Sequence, residues 1–311
     1  MFDLIHNDYT KIFILIIRKE HFIMEIKSVG VIGAGVMGTG VAQNFSQAGF
    51  KVILLDINAD ILIRAEGKIN RDLRLYQMFH RDIKIDSSEV LERICFTKDY
   101  NLLKDVDFVV ENVFENLTVK ETAYEKLNTI CSNDCIIAAN TSCIPITRIA
   151  ALTDHPDKVI GIHFMNPVPM KKTVEVIRGY HTTDKTVEIT EKLLKRIGKD
   201  SIIVNDLPGF VSNRLSHLFM NEAAFVVQDG VATPRQVDEI FKKCYEHKMG
   251  PLATADLIGL DTVVNSLDIL FDNYKDPKFK CCPLLRKMVH AGLLGRKTKE
   301  GFFKYYKGMD E

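Results

Sequence analysis

The stretch SVGVIGAGVMGTGVAQNFSQAG, residues 28–49, decides the fold. Its opening, SVGVIG, is a short apolar run of the kind that forms a buried strand. Residues 36–49 are spaced as a helix, with Gly49 placed to close it. Gly33-Ala34-Gly35-Val36-Met37-Gly38 joins the two and fits G-x-G-x-x-G. The first glycine permits a tight turn, the second lets a pyrophosphate approach the backbone, and the third lets helix and strand pack closely. The helix N-terminus then offers free N–H groups and a partial positive charge to phosphates. The pattern is weak in isolation; a strand before it and a helix after it make it a dinucleotide cradle. KVILLD reads as the second strand and ends in Asp56, 23 positions after Gly33. A carboxylate there accepts hydrogen bonds from ribose hydroxyls and repels a 2′-phosphate. No arginine follows in DINAD, so NAD is expected rather than NADP.

Outward from this unit, strand and helix patterns alternate. A polar helical segment runs from Ala59 to about Phe79, with a further helix near Ser88 to Arg93. DFVVENV, CIIAANT, KVIGIHF, TVEVIRG and SIIVND read as strands. The alternation predicts a parallel α/β sheet with right-handed crossovers. Past Pro208 the strand-like runs stop. Phe210, Val211, Leu215, Leu218 and Phe219 recur at helical spacing, and Thr233-Pro234 with Gln236 reads as a capped helix start. The expected organisation is an N-terminal appendage over 1–24, a dinucleotide-binding domain over 25–207, and an all-helical domain over 208–311.

Composition narrows the function classes. Of 311 residues, 46% are hydrophobic and 26% charged, as in an ordinary globular protein. Forty-one basic residues balance forty-one acidic ones, which argues against non-specific nucleic-acid binding. The apolar run Ile12–Ile17 is too short for a signal peptide or a membrane span, and Met24 stands just before the first strand as an alternative start. The seven cysteines form no C-x-x-C pair and no cluster with zinc spacing. Reduced thiols in a cytoplasmic protein without a metal are therefore expected.

GIHFMNPVPMKKTVEVI, residues 161–177, holds the candidate chemistry. Two β-like runs carry one polar residue each, His163 and Glu175, across a connector with two prolines. Such a connector could bring the two face to face. Histidine titrates near neutral pH and suits proton transfer, and a carboxylate on its far nitrogen fixes the tautomer and stabilises the imidazolium.

With Asn140-Thr141-Ser142, GIHFMNPVP, VEVI, PGFVSNR, MGPLATADLIGLDT (249–262) and GRKTKEGFF (295–303) in this order, the chain resembles the 3-hydroxyacyl-CoA dehydrogenase family, closest to its short bacterial 3-hydroxybutyryl-CoA members. The resemblance covers about Lys27 to Tyr305. It implies an α/β Rossmann-type domain followed by an all-α C-terminal domain that dimerises, and NAD-dependent interconversion of hydroxyacyl and ketoacyl thioesters, with the S alcohol. It assigns His163 as base, Glu175 as its partner, and Ser142 and Asn213 to substrate oxygens and imidazole. It assigns cofactor contacts to Gly33, Gly35, Gly38, Asp56, Glu115, Lys120, Asn140 and Lys297. Cys143 beside Ser142 is read as a plain thiol, since hydride transfer needs no nucleophile.

Two departures from the family stand out. Lys299 replaces a glycine of GRKTG-x-GFF. The arm RDLRLYQMFHRDIKI carries Arg71, Arg74, Arg81 and Lys84 with Tyr76, Met78 and Phe79, but no lysine cluster for CoA phosphates. That leaves an alternative in which the hydroxyacyl (glyceryl) group is tethered to an acyl carrier protein, as in polyketide extender-unit synthesis, docking on a Tyr/Met/Phe patch. An alternative of another class is a non-catalytic binding or structural protein on the same fold.

Overall fold

The computed structural model describes residues 25–79 and 86–306. The 1–24 appendage, and Arg81 and Lys84 of the arm, lie outside the described residues. Strand β1 (Ser28–Ile32) is buried along almost its whole length, and helix α1 (Val36–Gln47) follows directly. Gly33 has φ 87°, and a Cβ there would lie 2.7 Å from the Asn112 carbonyl oxygen. A Cβ on Gly38 would lie 1.8 Å from the Gly33 oxygen, so the turn closes only with glycine at both places. Ala48 caps α1, and Gly49 follows in the left-handed region at φ 88°.

The chain continues through β2 (Lys51–Leu55), α2 (Ala59–Phe79), α3 (Ser87–Glu92), β3 (Ile94–Thr97), β4 (Phe108–Glu111), α4 (Leu117–Ile130), β5 (Ile136–Ala139), α5 (Ile146–Ala150), β6 (Val159–His163), β7 (Thr173–Arg178), α6 (Asp184–Arg196) and β8 (Asp200–Asn205). The strands form one sheet in the order β3-β2-β1-β4-β5-β6-β7-β8. The order reverses between β1 and β4, where open α/β sheets bind ligands, and the glycine turn leaves β1 at that point.

One expectation is corrected. The sheet is not parallel throughout: β7 runs antiparallel to β6, and β8 parallel to β7. The connector between β6 and β7 carries no helix, so it cannot make a parallel crossover and returns as a hairpin. Helix α6 then supplies the crossover from β7 to β8.

Apolar clusters cover both sheet faces. Val29, Val31, Val52 and Leu54 meet Val41 and Phe45 of α1, Leu62, Ile69 and Leu73 of α2, and Leu193 of α6. Ile32, Leu55, Val109, Ile137 and Val159 meet Tyr124 and Leu127 of α4 and Ile146 of α5. Alternating residues of each strand thus feed opposite layers, so the strands read as continuous apolar runs.

After β8 the named elements are helical: α7 (Ser212–Gln228), α8 (Pro234–Cys244), α9 (Pro251–Ile258), α10 (Leu260–Tyr274) and α11 (Pro283–His290), with short 3₁₀ turns. Thr233 and Gln236 form the capping box of α8. The Asp238 carboxylate caps α9 through the N–H groups of Leu252 (2.9 Å) and Ala253 (2.8 Å). Asp256 accepts from the N–H groups of Phe302 and Phe303 and the Tyr305 hydroxyl, which ties the C-terminal segment to α9. Lys299 has φ 65°, a conformation that favours glycine. A lysine held there costs about 1–2 kcal/mol, which gives the departure at this position a physical meaning. Among the described residues no helix is long and apolar enough to cross a membrane.

Candidate active site

The cradle begins at Gly35, the N-cap of α1. A Cβ on it would meet nothing within 4 Å, no side chain caps the helix, and no acidic residue lies in its first turn. The α1 N–H groups therefore face open space with a positive end, an arrangement that fits a pyrophosphate. Asp56 follows β2; one carboxylate oxygen accepts from Ala34 N–H (2.8 Å) and the other from Asn58 N–H (3.0 Å). That holds the half-buried acid beside the glycine turn, where a ribose would lie.

At the end of β4, next to β1, lies a buried ionic group. Lys120 of α4 and Glu111 at the end of β4 are both fully enclosed and paired, with Nζ–Oε distances of 2.8 and 2.9 Å. Burial raises the Glu111 carboxyl above its ordinary value, although Lys120 and the Val113 N–H pull the other way. The ammonium of Lys120 is thus held by Glu111, which lies opposite Ile32 of β1, the residue before the glycine turn. Glu115 lies 3.9 Å from Lys120 and accepts from the Thr141 hydroxyl (2.6 Å) and from Ser142 and Cys143 N–H (2.9 Å each). It thereby sets the loop after β5 that carries Ser142. Asn140 donates to the Asn112 side chain (2.6 Å) and accepts from Phe164 N–H (3.2 Å). Asn112 in turn abuts Gly33, so this bridge runs from the glycine turn to the residue beside His163.

His163 and Glu175 are opposed residues of the β6–β7 hairpin, both buried. His163 Nδ1 lies 3.1 Å from Glu175 Oε2, and Nε2 lies 3.2 Å from Ser142 Oγ. A carboxylate cannot donate, so Nδ1 carries the proton and Nε2 presents its lone pair to the Ser142 hydroxyl. Asn213 on α7 donates to the Ser142 carbonyl (3.1 Å). The helical region thus reaches into the Rossmann-type region to complete the group. Lys297 does not join it in this structure: it is exposed and pairs with Asp261 of α10.

Glu175 is also bound by groups that sequence reasoning missed. The Ser212 hydroxyl donates to Oε2 (2.6 Å), and the N–H groups of Val211 and Ser212 donate to Oε1 (2.9 and 3.2 Å). Burial alone would raise the Glu175 carboxyl, but the hydrogen bonds from His163, Ser212 and Val211 outweigh it and hold it at about 2. Since the unfolded value is 4.5, ionised Glu175 contributes stability present above pH 4.5 and lost as pH falls toward about 2. Glu175→Gln is expected to melt below the parent protein at neutral pH, with the gap narrowing under acid. Thermal melts at stepped pH test this; a gap independent of pH would contradict it. A signal for Ser212 lay beside Asn213 in PGFVSNR, and one for Glu111 in an acid closing the apolar run FVV.

A glycine turn at the sheet's switch point, an acid closing β2 beside it and a carboxylate-paired histidine at the end of β6 are the features expected of a nicotinamide-dependent oxidoreductase. The comparisons with known proteins are specific. The 3-hydroxyacyl-CoA dehydrogenase NAD-binding domain matches residues 28–207, and the C-terminal domain of the same family matches 209–305. Over 277 residues the chain is 46% identical to a Deinococcus radiodurans protein named probable 3-hydroxybutyryl-CoA dehydrogenase, covering 89% of this chain and 99% of that one. It is 43% identical over 286 residues to a Bacillus subtilis protein of the same name, covering 91% and 98%. The crystal structure of (S)-3-hydroxybutyryl-CoA dehydrogenase from Ralstonia eutropha superposes with a TM-score of 0.86 at 39% identity, covering 91% of this chain and all of that one. The chain belongs to the 3-hydroxyacyl-CoA dehydrogenase family and is an NAD-dependent oxidoreductase.

Proposed function

We propose that this enzyme interconverts (S)-3-hydroxybutyryl-CoA and acetoacetyl-CoA. The observation that carries the reading is His163, bonded on Nδ1 to Glu175 and open on Nε2 to Ser142. NAD, when bound, takes up or returns the hydride. In the oxidative direction Nε2 accepts the proton of the substrate hydroxyl, and Glu175 stabilises the imidazolium that forms. The Ser142 hydroxyl marks where the substrate oxygen sits, and Asn213 holds the backbone of Ser142 in place. The glycines and Asp56 hold the dinucleotide. Glu115 and Asn140 shape the loop between cofactor and base, and Lys120 holds Glu111 beside β1. Lys297 would have to leave Asp261 to reach the cofactor.

Arg71 and Arg74 are exposed on α2 and suit the phosphates of a CoA handle. The carrier-protein alternative relies on an exposed aromatic and methionine patch. Of that trio Met78 is exposed and Tyr76 half-buried, while the Phe79 side chain lies outside the described residues. The helical region leaves Leu215, Val231, Tyr245 and Leu257 exposed, which supports a homodimer formed through it. Seven free thiols support a reducing, cytoplasmic setting.

The test is turnover of acetoacetyl-CoA with NADH, followed by nicotinamide absorbance. Rapid turnover is expected. Turnover on a carrier-tethered thioester alone would replace the CoA reading. NADH binding without turnover on any thioester would replace it with a non-catalytic role.

A further inference from the structure

Ser212 is the first residue of α7, one position past the N-cap Val211, whose apolar side chain cannot cap the helix. The helix start has no side-chain cap, and the Ser212 hydroxyl points back to β7. Gly209 (φ 76°) and Phe210 (φ 49°) make a left-handed turn that aims the α7 N-terminus at Glu175. Phe210 is buried, its ring 6.1 Å from that of His163. The result is a carboxylate with four donors. Val211 N–H and Ser212 N–H share Oε1, while the Ser212 hydroxyl and His163 Nδ1 share Oε2. Ser212 Oγ also lies 3.3 Å from Nδ1, so hydroxyl and imidazole converge on one oxygen.

We propose that Ser212 is a positioning residue that sets the basicity of His163 by competing with the imidazole for Glu175 Oε2. The proposal rests on the reading of His163 as the proton-transfer group. A short hydroxyl–carboxylate bond of 2.6 Å draws charge density from Oε2. Less of that charge is then available to an imidazolium on the same oxygen, so His163 releases its proton more readily and stands ready as a base. Without the hydroxyl, the undivided carboxylate holds the imidazolium more firmly. The other titratable groups around the pair are few. His217, one turn along α7, is kept down at about 4 by burial, and burial pushes the Cys143 thiol up to about 12, so neither changes charge near neutral pH. The Glu115 carboxylate stands behind Ser142 and is common to all variants compared.

The test is the pH dependence of kcat/KM for oxidation of (S)-3-hydroxybutyryl-CoA in the parent, Ser212→Ala and Ser212→Thr enzymes. For Ser212→Ala the acidic limb is expected to move to higher pH by about half a unit to one unit, a loss of roughly 3- to 10-fold on that limb. Ser212→Thr, which retains a hydroxyl, is expected to keep the limb at the parental pH. A Ser212→Ala limb that is unmoved, or moved to lower pH, overturns the proposal, even if the plateau falls. Should Ser212→Ala fail to fold, Ser212→Cys, a weaker donor of similar size, is expected to shift the limb in the same direction, and an unmoved limb there overturns the proposal equally. Failure of the underlying reading shows elsewhere: His163→Gln would then keep its turnover.

Discussion

Replacing His163 by glutamine is expected to lower turnover by about 10²- to 10⁴-fold, the usual contribution of a positioned proton-transfer group. Glutamine is close to histidine in reach and can still meet Glu175 and Ser142 with its amide, so the pocket should keep its shape. It cannot take up a proton near neutral pH. The loss should therefore fall on kcat more than on KM. NADH affinity, read by fluorescence titration, should stay close to the parent value, because the cradle of Gly33, Gly35, Gly38 and Asp56 is built by other elements. A His163→Gln enzyme with a near-normal rate would remove the proton-transfer assignment and require another base.

The largest stability effect is expected at Lys120. Both it and Glu111 are fully enclosed. Lys120→Met leaves the Glu111 carboxyl buried without its counter-charge, a change that costs about 3–5 kcal/mol when one partner of a buried pair is removed. The folded variant should hold Glu111 protonated, since burial already raises its carboxyl in the parent. The deficit should therefore deepen as pH rises above the unfolded value of 4.5 and shrink below it. Adding Glu111→Gln removes the unpaired charge, and the double variant should recover most of the loss in denaturant melts. The double variant also separates two roles for Lys120. If Lys120 only holds Glu111 in place, restored stability should bring back NADH binding. If Lys120 touches the cofactor, stability should return and binding should not.

Several features were legible because they are local. Gly33 and Gly38 are required by atoms a few residues away or one strand across, so spacing alone announced the turn. The capping box at Thr233 and Gln236 lies within one helical turn. His163 and Glu175 were visible as polar residues in otherwise apolar strands. Strand β3 was not foreseen: it has four residues, only one of them buried, and lacks the apolar signal of the inner strands. The reversal at β7 was only half legible: the short connector suggested that His163 and Glu175 face each other, while the alternation of strands and helices pointed to a wholly parallel sheet, since a strand's own composition does not encode its direction. The length and content of the connector decide that.

The sequence by itself pointed to the glycine turn after β1, to NAD, to the change from α/β to helical, and to the two polar residues, His163 and Glu175, that oppose each other on β6 and β7. Each depends on spacing within a strand–turn–helix unit or on neighbouring strands of a hairpin. Only the tertiary structure decided who holds those residues in place. Glu115, after β4, pins the loop of Ser142 after β5, and Lys120 is paired with the buried Glu111. Ser212 and Asn213 arrive from the helical region, more than thirty positions beyond Glu175. A buried carboxylate must find donors wherever the fold supplies them, and no spacing rule in the chain announces where those donors are.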